Sequence, residues 1–474
     1  MKRIFFVVSM GLLAGFGMAQ ENNGPLTLRQ AIETGLGKNL DVKQSEIAME
    51  TGKINWNQAR LNMLPNIDGN ASAGINQGRS IDPFTNSYIN QQVNYNSYGL
   101  GAGVVLFNGF SMQNSVRRTA YAYEAAKMDL QQVKDNLTIQ IILAYLQVLS
   151  NDDMLTQARN QEVLSKRQVE RLEEMNKEGS IPPSQLSDLK GQYANDQLSI
   201  ISAENALESA KISLCQLMNI PYDPSMKLER IDAQSYAVKY EETPASIYQT
   251  ALKQFAQVKA TELRQSSASK AIKVAQGQLF PTLSLNGNVN TNYSSAARSS
   301  TYLGQTDVTS TDYVLVNGTP YPVVYKQSNF SSDKIAYGKQ LNNNLYSSVS
   351  LNLRVPIFSS WQQRNRIRQA RLDLKNAEHV AQTTKTQLQQ SIDQAYLNMS
   401  TAANRFRTLL DQVNAFTESF EAAEVRFNAG VGNSIDYLTA KNNLDRSNIN
   451  LIAAKYDYVL RTKVLDYYQG KQLW

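Results

Sequence analysis

The sequence predicts a mixed α+β membrane protein, in which each chain gives four strands to a β-barrel that continues into long coiled-coil helices. Three observations predict it. The chain repeats itself once, four short segments alternate apolar and polar residues, and two very long stretches lack proline and carry heptads.

The repeat organises the chain. Shifted by 251 residues, Phe107 falls on Phe358, Asn114 on Asn365, Arg117 on Arg368, Glu173 on Glu424 and Gly179 on Gly430. Upstream the shift is 216: Leu36 matches Leu252, Val42-Lys43 matches Val258-Lys259, and Leu64-Pro65 matches Phe280-Pro281. The second copy therefore carries 35 extra residues between Pro281 and Phe358. Repetition at a fixed spacing marks a duplicated architecture. Within the insertion, the Ser/Thr/Asn/Gly-rich stretch Asn292–Asn344 reads as a loop.

The expected division is a signal peptide over 1–19, a first repeat over 20–220, a linker over 221–245 and a second repeat over 246–474. Lys2 and Arg3, the apolar run Ile4–Met18 and the small-x-small site Gly17-Met18-Ala19 make the export signal. The first repeat should hold strands at about 66–79 and 93–107, a long helix 109–178 and a helix 184–218. The second should hold strands at about 282–291 and 345–357, a long helix 358–428 and a helix 434–468.

The strand segments have period two. Ile67, Gly69, Ala71 and Ala73 lie opposite Asp68, Asn70 and Ser72; Leu100, Ala102 and Val104 lie opposite Gly99, Gly101 and Gly103. Leu283, Leu285 and Val289 oppose Ser284, Asn286, Asn288 and Asn290, while Val349, Leu351 and Leu353 oppose Ser350, Asn352 and Arg354. The helical segments carry sevens: Leu186, Tyr193, Ile200, Leu207, Leu214, and at the repeat shift Tyr437, Leu444, Leu451, Tyr458, Leu465. Met399, Phe406, Val413, Phe420 and Phe427 make a third row. Such rows predict supercoiled packing, along helices of roughly 100 Å at ~1.5 Å per residue.

Composition argues against chemistry. One Cys and one His exclude a disulfide framework and a Cys/His zinc cluster. His379 stands beside Glu378 with no nucleophile, and Cys215 lies among Leu214, Leu217 and Met218 as a small core residue. Asp152-Asp153 and Glu173-Glu174 are adjacent pairs that point apart on a helix and read as solvated faces. A net charge of +6 is too weak and dispersed for nucleic acid. No catalytic, cofactor-binding or metal residue is expected, no cofactor, and no enzyme.

Strands of about ten residues with one apolar face suit an outer-membrane barrel, and four cannot close one. Open edges are untenable in lipid, so several chains must share the barrel. Phe107 and Phe110 after the second strand, and Phe358 and Trp361 after the fourth, read as an interfacial girdle. Ser80–Asn96 and Tyr293–Asn344 become external loops. Where the heptads stop, at Gly179-Ser180-Ile181-Pro182-Pro183 and Gly430-Val431-Gly432-Asn433, glycine supplies a left-handed cap, and Ser184 and Ser434 can cap the next helices.

This twofold strand-loop-strand-helix-helix plan resembles the TolC-like outer-membrane efflux protein family (outer membrane factors). Arg426-Phe427-Asn428-Ala429-Gly430-Val431 with Ile435-Asp436-Tyr437-Leu438 resembles the family's turn between its last long helices. Leu64-Pro65, Phe280-Pro281 and Leu106-Phe107-Asn108-Gly109 resemble its helix–strand junctions. The resemblance implies a homotrimer with a 12-stranded barrel in outer-membrane lipid over a periplasmic helical tunnel. It also implies a periplasmic adaptor (membrane fusion) protein docking at Gly179, Ser180, Gly430, Val431 and Gly432, and an inner-membrane RND, ABC or MFS pump. Asp436 then becomes a tip gate; some relatives carry a second Asp one turn later, where this chain has Thr439, and relatives often carry Asp at the matching position of the first turn, here Gln185. The alternative reading is a periplasmic adaptor or structural coiled-coil protein of the envelope.

Overall fold

The structure is a computed structural model that describes residues 24–81, 86, 88–90, 92–230 and 242–471. The expected signal peptide and part of the inter-repeat linker lie outside the described residues. The chain forms two compact units. One takes residues up to Ile47, Met128–Lys259 and Thr383 onward; the other takes Ala48–Lys127 and Ala260–Gln382.

The repeat is visible in the element bounds. Helices α1 (Leu28–Lys38) and α2 (Leu40–Leu61) recur 216 residues later as α5 (Pro244–Gln254) and α6 (Ala256–Gly277). Their N-caps coincide as well. Thr27 accepts from the Gln30 N–H and Thr243 from the Ser246 N–H, each satisfying one of the helix's orphan donors. Helix α3 (Ser111–Lys177) recurs as α8 (Gln362–Asn428), both 67 residues long and shifted by 251 at each end. Helix α4 (Pro183–Met218) corresponds to α9 (Ser434–Tyr468).

In the first unit, Ile247, Ala251 and Val258 pack with Leu388, Ile392, Met399, Tyr458 and Leu465. A second core joins Val169, Leu172 and Leu189 to Phe420, Phe427, Tyr437 and Ala440. The heptad residues Leu207, Leu214, Tyr458 and Leu465 are buried, as are Met399, Phe420 and Phe427. The 3.5-residue period thus keeps one stripe of each helix against its neighbours.

The second unit carries an antiparallel sheet of β1 (Asn66–Asn76), β4 (Val93–Phe107), β5 (Thr282–Ser294) and β8 (Tyr346–Arg354), in the order β1-β4-β5-β8. Two short strands, β2 (Arg79–Ile81) and β3 (Tyr88–Asn90), pair between β1 and β4. Between β5 and β8 the expected loop is not a loop. It folds as a hairpin, β6 (Arg298–Val316) with β7 (Thr319–Lys334), followed by the short helix α7 (Tyr337–Asn343). Threonine and serine favoured the loop reading, but Thr, Tyr and Val in alternation also suit a pleated strand. Asn317-Gly318, with φ of 54° and 82°, supplies the two left-handed residues of a tight hairpin turn.

Candidate functional site

Register sorts the sheet into two faces. Ile67 pairs with Ala102, Ala102 with Gly287, and Gly287 with Val349. Val104, Leu285 and Leu351 form the next apolar row, and Phe107, Leu283 and Leu353 the one after. The irregularity between Val105 and Phe107 is what brings Phe107 opposite Leu283, because one extra residue re-aims the strand. Ile67, Leu100, Val349, Leu351 and Leu353 are all exposed in the single chain.

The other face is polar and contains a groove without side chains. Gly99, Gly101 and Gly103 run down β4 between Asn70, Asp68 and Asn66 of β1 and Asn290, Asn288 and Asn286 of β5. A Cβ at Gly103 would meet the Asn66 and Asn286 carboxamide oxygens at 3.1 Å each, and one at Gly99 would run into those of Asn70 and Asn290. Ser348 on β8 donates to the Asn288 carboxamide. The sheet's outer strands β1 and β8 pair on one side only among the described residues.

Phe107, Phe110, Phe358 and Trp361, expected to form a girdle, stand at repeated junctions. Phe107 and Phe110 meet edge to face, ring centroids 5.6 Å apart, and Arg364 lies 4.5 Å over the Trp361 ring. Phe110, Phe358 and Trp361 are largely exposed. Both junctions use two successive left-handed residues, Gly109-Phe110 and Ser360-Trp361, a conformation bulky side chains seldom adopt. Gly109 also presses on α6: a Cβ there would run into the Gly277 carbonyl oxygen. At the opposite ends of the strands is an aromatic group that sequence reading missed. Tyr337 of α7 packs against Tyr293 with the rings tilted by 49° and centroids 4.7 Å apart, and its hydroxyl lies 2.8 Å from that of Tyr98. Tyr98 shares the face of the apolar rows. Its partner sits 239 residues away, beyond any local pattern.

In the helical unit the two turns have one geometry. Gly179 and Gly430 sit at φ of 72° and 75°. The Gly179 N–H donates to Asn176 and the Ser180 N–H to Met175; the Gly430 N–H donates to Phe427 and the Val431 N–H to Arg426. This paired 5→2 and 6→1 pattern satisfies the last carbonyls of each long helix. Arg171 adds a donor to the Asn428 carbonyl at 2.7 Å, tying α3 to the end of α8.

The next helices are not capped as the sequence suggested. Helix α4 has Pro182 at its N-cap and no side-chain cap, and Asn433 rather than Ser434 caps α9 by accepting from the Asp436 N–H at 2.7 Å. Ser434 donates instead to Asp188, at 3.0 Å, across the two hairpins. Val431, Asp436 and Thr439 are exposed, while Gly432 and Gln185 are half-buried. No hydrogen bond joins Gln185 to Asp436 or Thr439 among the described residues.

Sequence reading also missed a buried charge cluster behind these turns. Lys441, 1% exposed, reaches Asp196 at 3.0 Å and Asp445 at 2.8 Å. Asp196 further accepts from Ser165 at 2.6 Å and Gln192 at 2.7 Å. The repeat mate of Lys441, Lys190, instead pairs with Glu173 inside its own hairpin at 2.8 Å. The signal was present: Asp196 lies between Tyr193 and Ile200 at helical spacing, on an apolar stripe.

The adjacent acids read as solvated faces have partners. Asp152 and Asp153 hold Arg230 at 3.0 and 3.3 Å, and Asp153 accepts from Tyr456 at 2.8 Å. His379 is exposed and Cys215 buried, where the thiol's pKa is raised by burial. Among the described residues no group of His, Cys, Asp and Glu could hold a metal ion, and no helix is long and apolar enough to cross a membrane.

The model of the outer membrane efflux protein family matches residues 31–219 and 247–466. The outer membrane protein TolC of Vibrio cholerae is 22% identical over 410 residues, covering 85% of this chain and 81% of that protein. TolC of Escherichia coli K12 is 20% identical over 464 residues, covering 97% and 85%. Among solved structures, CusC, described through its transmembrane channel formation, superposes with a TM-score of 0.75 at 14% identity over 94% of this chain and 92% of its own. The alternating strands, the repeated long helices and the match over both repeats agree: this chain belongs to the outer membrane efflux protein family and is an outer-membrane protein of export.

Proposed function

We propose that three copies of the chain close their sheets into one 12-stranded barrel, forming the outer-membrane exit duct of a tripartite efflux or type I secretion system. The observation that carries this is a four-stranded sheet with one continuous apolar face and two open edges. Unpaired backbone at each edge costs several kcal/mol per group in hydrocarbon, so β8 of one copy must pair with β1 of the next. Along β4, Tyr98 to Phe107 is ten residues, or nine steps, about 30 Å of strand. Tilted at about 40°, that covers about 23 Å, near the ~25 Å apolar band of such barrels. The aromatic residues at its two ends suit the two interfaces.

The helical turns would receive a periplasmic adaptor linked to an inner-membrane RND, ABC or MFS pump, and the polar sheet face would line the exit. Gly179, Ser180, Gly430, Val431 and Gly432 leave backbone accessible at those turns, and Asp436 brings one carboxylate per copy toward the axis. Mass measurement in mild detergent tests the assembly. Three copies are expected; a stable monomer or a two-copy, eight-stranded particle would contradict it.

A further inference from the structure

The insertion that lengthens the second repeat divides sharply along its length. From the base pair Arg298/Lys334 to the pair Asp307/Lys326, hairpin β6–β7 is built mainly of Ser, Thr, Asn, Gln and charged residues. Beyond it, Tyr313–Tyr325 contains no charged residue, and Val314, Leu315, Val316, Tyr321 and Val324 are each more than half exposed. Both faces are apolar there. Val314 opposes Tyr321 on one face, and Leu315 opposes Pro320 on the other.

A contiguous apolar surface of this kind marks an interaction site. Lipid does not suit it, because a two-stranded hairpin keeps two rows of unpaired backbone groups that hydrocarbon cannot satisfy. Strand addition along β7 does not suit it either, since Pro320 and Pro322 remove donors from that strand's free edge. The neighbours that the fold itself requires are further copies of this chain. The hairpin leads through α7 directly into β8, an open edge of the sheet. In the three-copy assembly proposed above, on which this inference rests, each copy delivers an identical apolar end to the same rim, at an effective concentration on the order of mM. Reach permits contact. Twelve strands tilted at about 40° close at a backbone radius of about 12 Å, whereas the polar stem from Arg298 to Asp307 spans about 30 Å.

We infer that the apolar ends of β6–β7, around Val314, Leu315, Tyr321 and Val324, pack against the same segment of neighbouring copies over the outer mouth of the barrel. The stem, polar apart from Leu303 and the paired Tyr302 and Phe330, remains hydrated, and the ends bury on both faces what no single chain can cover. Val314→Cys and Val324→Cys test this, because Cys215 is buried and leaves the new thiol as the reactive one. Membranes holding the assembled protein are treated with a short-span bismaleimide, and the assembled mass is measured on the same preparation. Both variants should give chain dimers on denaturing gels, at roughly tenfold the level given by Gln305→Cys in the stem. A three-copy particle whose Val314 and Val324 thiols stay monomeric and react freely with a hydrophilic maleimide overturns the contact while leaving the assembly standing. Equal crosslinking from Gln305→Cys overturns it too. A chain that does not assemble refutes the assembly, and this contact with it.

Discussion

Lys441 ties the two helical hairpins through a buried ion pair. It is buried with Asp196 on α4 and Asp445 on its own helix, whereas its repeat mate Lys190 stays within the first hairpin. Removing one partner of a buried pair leaves an uncompensated charge and costs about 3–5 kcal/mol, while neutralising all partners together costs far less. Lys441→Ala should therefore lower the unfolding midpoint in detergent much more than Lys441→Met combined with Asp196→Asn and Asp445→Asn. Equal losses would mean the cluster is solvated. Asp445 adds a pH signature. Burial holds its carboxyl above the usual carboxylate range, with Lys441 pulling the other way. The folded chain then binds that proton more tightly than the unfolded chain, so this group's contribution to stability rises as pH falls through the raised value and levels off below the ordinary 3.8. Wild type should gain on Asp445→Asn as the solution is acidified, and parallel pH profiles would contradict this.

Two kinds of element set the next tests. At the turns, Gly430 has φ 75° and open space where a Cβ would stand, so substitution costs only the left-handed backbone, about 1–2 kcal/mol. Gly430→Val should leave assembly and insertion normal but abolish transport, by distorting the proposed docking surface. Gly109→Ala meets the same backbone restriction and also runs into the Gly277 carbonyl. It should reduce the yield of assembled protein. In the sheet, the row of Ile67, Ala102, Gly287 and Val349 lies midway between the aromatic ends, whereas Leu353 shares the row of Phe107. A charge on the lipid face costs about 2–4 kcal/mol at mid-depth and about 0–1 near the interfaces. Val349→Arg should thus impair insertion more than Leu353→Arg, and Ser350→Arg on the polar face should be tolerated. Equal tolerance of both faces would refute a membrane-facing sheet.

At the scale of the whole molecule, the proposed three-copy assembly predicts what happens where identical tips approach one axis. Asp436 is exposed in the first turn of α9, with its N–H held by Asn433. In the proposed three-copy assembly, like charges brought together repel and draw counterions. Asp436→Asn should change single-channel conductance and cation selectivity in a planar bilayer without affecting adaptor docking. Unchanged values would reduce Asp436 to a charge favoured by the helix N-terminus.

The sequence by itself determined the elements whose causes are local or periodic. Alternation named the strands, heptads and the absence of proline named the long helices, and the two shifts placed both copies, because pleat and helix impose fixed periods on whatever is buried. The turn glycines were legible for the same reason, since few residues accept a left-handed backbone. Only the tertiary structure decided the rest. Lys441 with Asp196, Tyr337 with Tyr98 and Ser434 with Asp188 are pairs separated by 239 to 246 residues, and no period connects them. The insertion likewise became a hairpin through pairing between its own halves, which composition alone does not report. Local pattern states which face of an element is apolar; only the packed chain states what that face meets.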